Sequence, residues 1–451
     1  MNQRYIKAFL CATITMMSFA GYSQSNVLQI MKDKTYMPRE WKEINTIEFD
    51  SIGNSFTISA AGEEDIKLSY NTNLLSIPSG FTVPAIYITT DRYLTEIPSK
   101  TEYESAVISM KGFDQFDDLK ETRVDIRGRG NSSWVQWKKK PYRLKFDSKQ
   151  KLCGLNKAKS YVLLANAVDP SLMQNAVTSK IAEMLDMPYN NVYVPVDVFL
   201  NGIYKGSYML TNKPGINSGS VDIDEKNSIM WELDTNYDED YKFHSPIYGL
   251  PVQVSDPDVD DATFQYWRSD FNAMESAVSR QACADYIDLD LFARFILIND
   301  IVKNDELGHP KSLKLYKTDG DKYKFGPLWD FDGAMGFWGA GGVDFYYQKQ
   351  INERVTRVRF LQDIEKMPEA RAAYKAHWKE IRERLDEIMD FIDEYAAMFR
   401  TSGYRDVELY KGSQTGIYPY SAYDIDESVE QMKQWLRWRF AAIDNFDIVK
   451  N

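Results

Sequence analysis

Apolar and polar residues alternate in short runs through the first half of the chain, and helical spacing takes over in the second. Thr46-Ile47-Glu48-Phe49-Asp50 and Ser55-Phe56-Thr57-Ile58-Ser59 show the period of two of half-buried strands, broken by Gly53-Asn54 and Gly62. Residues 21–82 therefore read as a small β-rich segment. A fresh unit begins at Val83-Pro84-Ala85-Ile86-Tyr87-Ile88, and strands are predicted over 122–126, 142–146, 161–165, 194–200, 207–210 and 229–233. Asn201-Gly202, between Leu200 and Ile203, is the dipeptide that best accepts positive φ at both central positions of a hairpin turn. One helix interrupts the strands, over 171–185, with Asp169-Pro170 at its entry. After Asp234 the texture changes. Residues 236–257 are polar and irregular and read as a loop; helices follow over 264–278, 289–302, 368–400 and 426–446, the last two with Glu, Lys and Arg along one side. The fold class this implies is α+β, with a β-rich unit over 83–235 and an α-rich unit over 236–451.

Length supports that division, because a single hydrophobic core stops growing at roughly 250–300 residues and this chain has 451. Its 54 Lys and Arg against 66 Asp and Glu leave a net charge of -12, which argues against wrapping duplex nucleic acid. The N-terminus has a basic head, Arg4 and Lys7, an apolar run from Ala8 to Ala20, and Ser18-Phe19-Ala20 as a small-x-small site. That is the pattern of a cleaved export signal over residues 1–20, predicting a periplasmic, cell-surface or secreted protein. No later segment is long and apolar enough to span a membrane. Cys153 and Cys283 remain after cleavage, too few for a disulfide framework, and read as two small buried side chains.

Three stretches carry candidate chemistry. Arg127-Gly128-Arg129-Gly130-Asn131-Ser132-Ser133-Trp134 leaves a strand and soon reaches Lys138-Lys139-Lys140-Pro141-Tyr142-Arg143. Glycines let backbone amides approach an anion, Asn and Ser add donors, and six cations gather there in an otherwise acidic chain. In Trp329-Asp330-Phe331-Asp332-Gly333, carboxylates at i and i+2 suit a hard divalent cation; a capped turn would use the same residues. Asn299 to Ser312 concentrates polar side chains where an apolar helix becomes a loop, a place for a general base, with Glu306 read as ordinary solvent exposure. His244, His309 and His377 are widely separated and show no zinc spacing.

These stretches, in this order, resemble the CotH family, the spore-coat protein H type of atypical protein kinase. The matching text includes Ile126 to Trp134, Lys139 to Phe146, Leu200-Asn201-Gly202, Trp231-Glu232-Leu233-Asp234 and Trp329 to Gly336. The resemblance implies a bilobal, kinase-like fold, ATP with Mg²⁺ or Mn²⁺, and transfer of the γ-phosphoryl group to Ser or Thr of a protein substrate. By family position Arg127, Asn131 and Ser132 would line the phosphate loop, with Lys140 or Arg143 as the phosphate cation. Asp330, helped by Asp332, would hold the metal, and Asp305 would orient the acceptor hydroxyl. Ordinary kinases place a metal-binding Asn five residues after the catalytic Asp; here that position is Pro310, and Asn299 or Asn304 could shift the assignment. A surface scaffold without turnover, binding carbohydrate or peptide through its aromatic residues, is the alternative, and a glycosidase using paired carboxylates a third reading.

Overall fold

The computed structural model describes residues 83–113, 115–308, 310–336, 351–410 and 424–450, together with six short strands between residues 27 and 77. The expected export signal and His309 lie outside the described residues. The fold is α+β. Two antiparallel three-stranded sheets form the early region: β1 (Val27–Lys32), β2 (Thr35–Glu40) and β6 (Leu74–Ile77) in the order β2-β1-β6, and β3 (Ile44–Asp50), β4 (Ser55–Ala60) and β5 (Ile66–Ser69) in sequence order. The period-two runs at 46–50 and 55–59 fall within β3 and β4.

Seven strands then close into a barrel. They are β7 (Ala85–Thr90), β8 (Glu104–Lys111), β9 (Leu119–Gly128), β10 (Tyr142–Gln150), β11 (Ala158–Leu164), β12 (Val194–Leu200) and β13 (Ile203–Asn212), in the order β10-β11-β13-β12-β7-β8-β9. β12 runs parallel to β7 and all other neighbours are antiparallel. Ile108, Val124, Ile126, Leu144, Leu163, Val196, Val198 and Leu210 are among the buried residues of one core that fills it. Those side chains fill the interior of the barrel, so the space for a ligand lies outside it. Asn201 and Gly202 form the two-residue hairpin with φ of 47° and 85°, as their sequence demands. Asn201 also ties the closure together: its Oδ1 accepts from Thr90 N at 2.9 Å and its Nδ2 donates to Thr90 Oγ1 at 2.9 Å.

A second sheet follows, in the order β15-β16-β14-β17-β18, from β14 (Ser228–Leu233), β15 (Lys242–His244), β16 (Pro251–Asp256), β17 (Leu313–Thr318) and β18 (Lys324–Phe325). The loop expected over 236–257 is thus corrected: it contains β15 and β16. These strands are too short to show periodicity alone, and pairing with β14 organises them. One face of the sheet buries Trp231, Leu233, Val252 and Leu315 in the main core beneath α3 (Asp261–Ser279), whose Phe264, Trp267 and Phe271 pack there. The other face presents Glu232, Gln253 and Lys314 toward the barrel.

The remaining helices are α1 (Ser132–Gln136), α2 (Gln174–Met184), α4 (Leu289–Val302), α5 (Arg359–Glu365), α6 (Pro368–Ile381), α7 (Leu385–Tyr410), α8 (Ile425–Ile443) and α9 (Asp447–Lys450). α4 is buried nearly all round. It starts where Asp288 Oδ1 accepts from Leu291 N at 3.0 Å and ends at Lys303, which is left-handed with φ 51°. The single helix expected over 368–400 is two helices, α6 and α7, joined by a 3₁₀ turn at Arg382–Arg384. Among the described residues no helix is long and apolar enough to cross a membrane.

Candidate active site

A cleft of about 660 Å³ lies between the outside of the barrel and the polar face of the second sheet. Its barrel wall is basic. The pleat that sends Val124 and Ile126 of β9 into the barrel turns Arg127 outward, and the register places Arg127 directly opposite Arg143 of β10. Lys213, just past β13, and Lys100 join them. Arg127 donates through Nη1 to Lys100 O and stacks over Tyr103 at 5.0 Å, yet the Nε atoms of both Arg127 and Arg143 are buried without a hydrogen-bond partner. Burial pulls the Arg143 guanidinium and the Lys213 ammonium below their usual values, and each feels further repulsion from a neighbouring cation. Like charges held together with unpaired donors fit an anion.

The loop after β9 adds Arg129, Gly130, Asn131, Ser132 and Ser133 to the wall. Gly128 is required at the strand end because a Cβ there would overlap the Trp134 ring. Asn131 Oδ1 accepts from Lys100 Nζ at 2.6 Å, which orients the amide. Arg129 reaches across the cleft, its guanidinium 5.4 Å from the Trp329 ring. Burial lowers its pKa, while Asp330, Asp332 and Glu232 act to hold its proton.

The opposite wall is acidic. Asp330 and Asp332 follow Trp329, and Glu306, Glu232 and Asp234 come from the α4–β17 connection and from β14. Asp330 occupies left-handed backbone, φ 68°, and Ser312 Oγ donates to its Oδ2 at 3.0 Å. Asn175 of α2 accepts from Phe331 N through Oδ1 at 3.0 Å, fixing the residue between the two carboxylates. Aspartate is among the few residue types that adopt this backbone region readily. Burial pushes Asp332 up to about 7, with the Asp330 charge as the second cause. Burial and then Asp330 push Glu306 up to about 8. Glu306 Oε1 accepts from Lys311 Nζ at 2.7 Å, and its Oε2 is buried without a partner.

Of the residues singled out from sequence, Arg127, Asn131, Ser132, Arg143, Asp330 and Asp332 line this one cleft. Lys140 and Asp305 do not. Lys140 donates to the Trp134 carbonyl and lies 5.5 Å from the Trp134 ring, so it staples α1. Asp305 sits on a 3₁₀ turn, Asp305–Gly308, with its carboxylate 2.5 Å from Lys303 Nζ and 3.6 Å from Arg357 Nη2. Its neighbour Glu306 enters the cleft instead. Asn299 and Asn304 serve that turn: Asn304 Nδ2 donates to Asn299 Oδ1 at 3.1 Å, and Asn304 Oδ1 accepts from Glu306 N at 3.2 Å.

Asp330 and Asp332 are the adjacent carboxylates of the cleft that could hold a divalent metal. Among the described residues no group of three or more His, Cys, Asp or Glu side chains could hold a metal ion. Mg²⁺ is commonly held by one or two carboxylates plus substrate phosphates and waters, which Asp330 and Asp332 facing a basic wall can provide. Among curated proteins none matches this chain. A family model described as CotH kinase protein matches residues 126–443, and the chain belongs to that family.

Proposed function

We propose that this protein is an exported, ATP-dependent phosphotransferase of kinase-like, bilobal architecture that acts on Ser or Thr of a protein substrate. The observation that carries the reading is the apposition, across one cleft, of an arginine pair with unpaired buried Nε donors and a carboxylate pair. Phosphoryl transfer requires little covalent chemistry from the protein; it needs positioning and charge stabilisation. Arg127, Arg143 and Lys213 hold the phosphates, and Arg129 closes over them from the loop. Asn131 and Ser132 supply further donors. Asp330 and Asp332 hold Mg²⁺ or Mn²⁺, which when bound neutralises charge on the phosphoryl oxygens. Ser312 and Asn175 keep those carboxylates in place.

To Glu306, which enters the cleft, we assign the orientation of the acceptor hydroxyl, the role that sequence position suggested for Asp305. Lys311 fixes one of its oxygens and leaves the other for the hydroxyl proton. Export rests on the basic head and apolar run of residues 1–20. Recovery of a processed N-terminus from the envelope or medium tests it, and an intact Met1 would overturn it.

The function is tested by nucleotide binding and autophosphorylation with Mg²⁺ or Mn²⁺, comparing the chain lacking residues 1–20 with its Asp330→Ala variant. Metal-dependent phosphate incorporation, lost in the variant, is expected. Polysaccharide or peptide binding with no nucleotide affinity would overturn the reading in favour of a surface scaffold.

A further inference from the structure

α7 spans the main core and the barrel, which also meet through Val162 and Leu164 of β11 and Met209 of β13 in that core. Its first turns bury Ile388, Ile392, Tyr395 and Phe399 in the main core. Its last turns lie on the barrel, where two buried ion pairs hold it. Asp197 of β12 takes Arg405 at 2.7 Å and also accepts from Ser402 Oγ and Tyr204 OH, each at 2.6 Å. Lys139 takes Asp406 at 2.6 Å, with side-chain exposures of 1% and 0%. Asp406 Oδ1 also accepts from Ser207 N at 2.9 Å, and Lys139 Nζ donates to Ser207 O at 2.5 Å between the rings of Tyr208 and Tyr410. Gly206 admits the carboxylate, since a Cβ there would overlap Asp406 Oδ1.

Lys139 is not a cleft residue, but it sits on the return leg of the loop that lines the cleft. Arg129 N donates to Pro141 O at 3.1 Å, closing that loop, and Tyr208 OH donates to Lys140 O at 2.9 Å beside the clasp. An α-helix is a stiff element. We infer that Lys139 and Asp406 are positioning residues: their buried pair, carried on α7, sets the loop of residues 129–137 in register with the body that holds Asp330 and Asp332. The inference rests on the nucleotide reading for its kinetic consequence, but not for its structural one.

Breaking one partner alone leaves a buried charge, so Asp406→Asn is a poor sole test. The double variant Lys139→Met with Asp406→Leu replaces the pair by apolar groups of similar size and keeps the fold testable. In the chain lacking residues 1–20, amide hydrogen exchange of residues 129–137 should rise at least about tenfold in the double variant, while the interior strands β9 and β12 stay protected. With ATP and Mg²⁺, the Michaelis constant for ATP should rise about tenfold with kcat within about twofold, because a misplaced loop loses binding rather than chemistry. Loop exchange and Michaelis constant both at wild-type values would overturn the clasp. A wild-type chain with no nucleotide affinity, but with loop exchange that still responds to the double variant, would overturn the nucleotide reading and leave the clasp supported.

Discussion

Arg127 and Arg143 stand opposite each other on adjacent antiparallel strands, each with a buried Nε that no acceptor satisfies. Directly opposed like charges cost a sheet roughly 0.2–1 kcal/mol. On the nucleotide reading, a pair kept at that cost trades stability for affinity. Arg143→Met should therefore leave the melting temperature unchanged or raise it slightly, while weakening ATP binding about tenfold to a hundredfold, in line with about 1.5–3 kcal/mol for a charged hydrogen bond. Differential scanning fluorimetry and titration calorimetry read the two effects separately. A variant that melts lower and binds ATP as well as wild type would show that the pair is structural.

Glu306 and Asp305 are adjacent in sequence but face different surroundings. Glu306→Gln should lower phosphate transfer by about 10²–10⁴-fold with little change in nucleotide affinity, the span usual for a positioned acid or base. Asp305→Asn, which loosens the contacts with Lys303 and Arg357, should lower it by less than about tenfold. Single-turnover transfer rates check both, and equal losses would return the role to the turn as a whole.

Asp169 gives a dependence of stability on pH. Its carboxylate is buried at the entry to α2 and accepts from Ser171 N at 2.9 Å, Ser171 Oγ at 2.6 Å and Gln174 N at 2.8 Å. Burial outweighs these bonds and pushes it up to about 6, from 3.8. A carboxyl raised on folding binds its proton more tightly in the native state, so its contribution is undiminished below about pH 3.8 and falls as pH rises toward 6, by roughly 3 kcal/mol in all. The difference in urea stability between wild type and Asp169→Asn should change across pH 4 to 6 and flatten above. A constant difference would refute the shift.

Asp300 is fully buried and gathers Arg354 Nε at 2.9 Å, Tyr374 OH at 2.9 Å and Val355 N at 3.0 Å, while Arg439 Nε donates to its backbone carbonyl at 2.7 Å. Asp300→Ala leaves the Tyr374 hydroxyl and the Val355 amide without their acceptor and Arg354 held by Glu365 alone, and should destabilise by about 3–5 kcal/mol. Urea unfolding followed by tryptophan fluorescence measures it, and a loss below about 1 kcal/mol would refute the role.

Local signals in the sequence were enough for elements whose pattern is complete within themselves. The Asn201-Gly202 hairpin and α4 are examples: turn chemistry decides the first and a long apolar run the second. The loop from Arg127 to Ser132 and the pair Asp330 and Asp332 were legible because charge and glycine concentrate there. What was not legible depends on pairing between distant segments. β15 and β16 exist because β14 accepts them. Lys213 and Glu232 belong to the cleft because of where β13 and β14 lie, and no neighbouring residue marks them. That Glu306 rather than Asp305 faces the cleft is not legible either, because sequence does not reveal which way a one-turn helix presents successive side chains. The clasp of Lys139 on Asp406 leaves no local trace at either residue.

Closure of the barrel by β12 lying parallel to β7 also sets an order in time. Contacts between residues 85–88 and 197–200 cannot form on the ribosome until the second strand has emerged, and such non-local pairing is slow to form. The acidic wall begins with Glu232 and Asp234 and is completed later, with Glu306 to Asp332, and the helix that fastens the loop comes later still, with Asp406. Asp332 must therefore emerge before the two charged walls can face each other, and Asp406 before the loop is clasped in place.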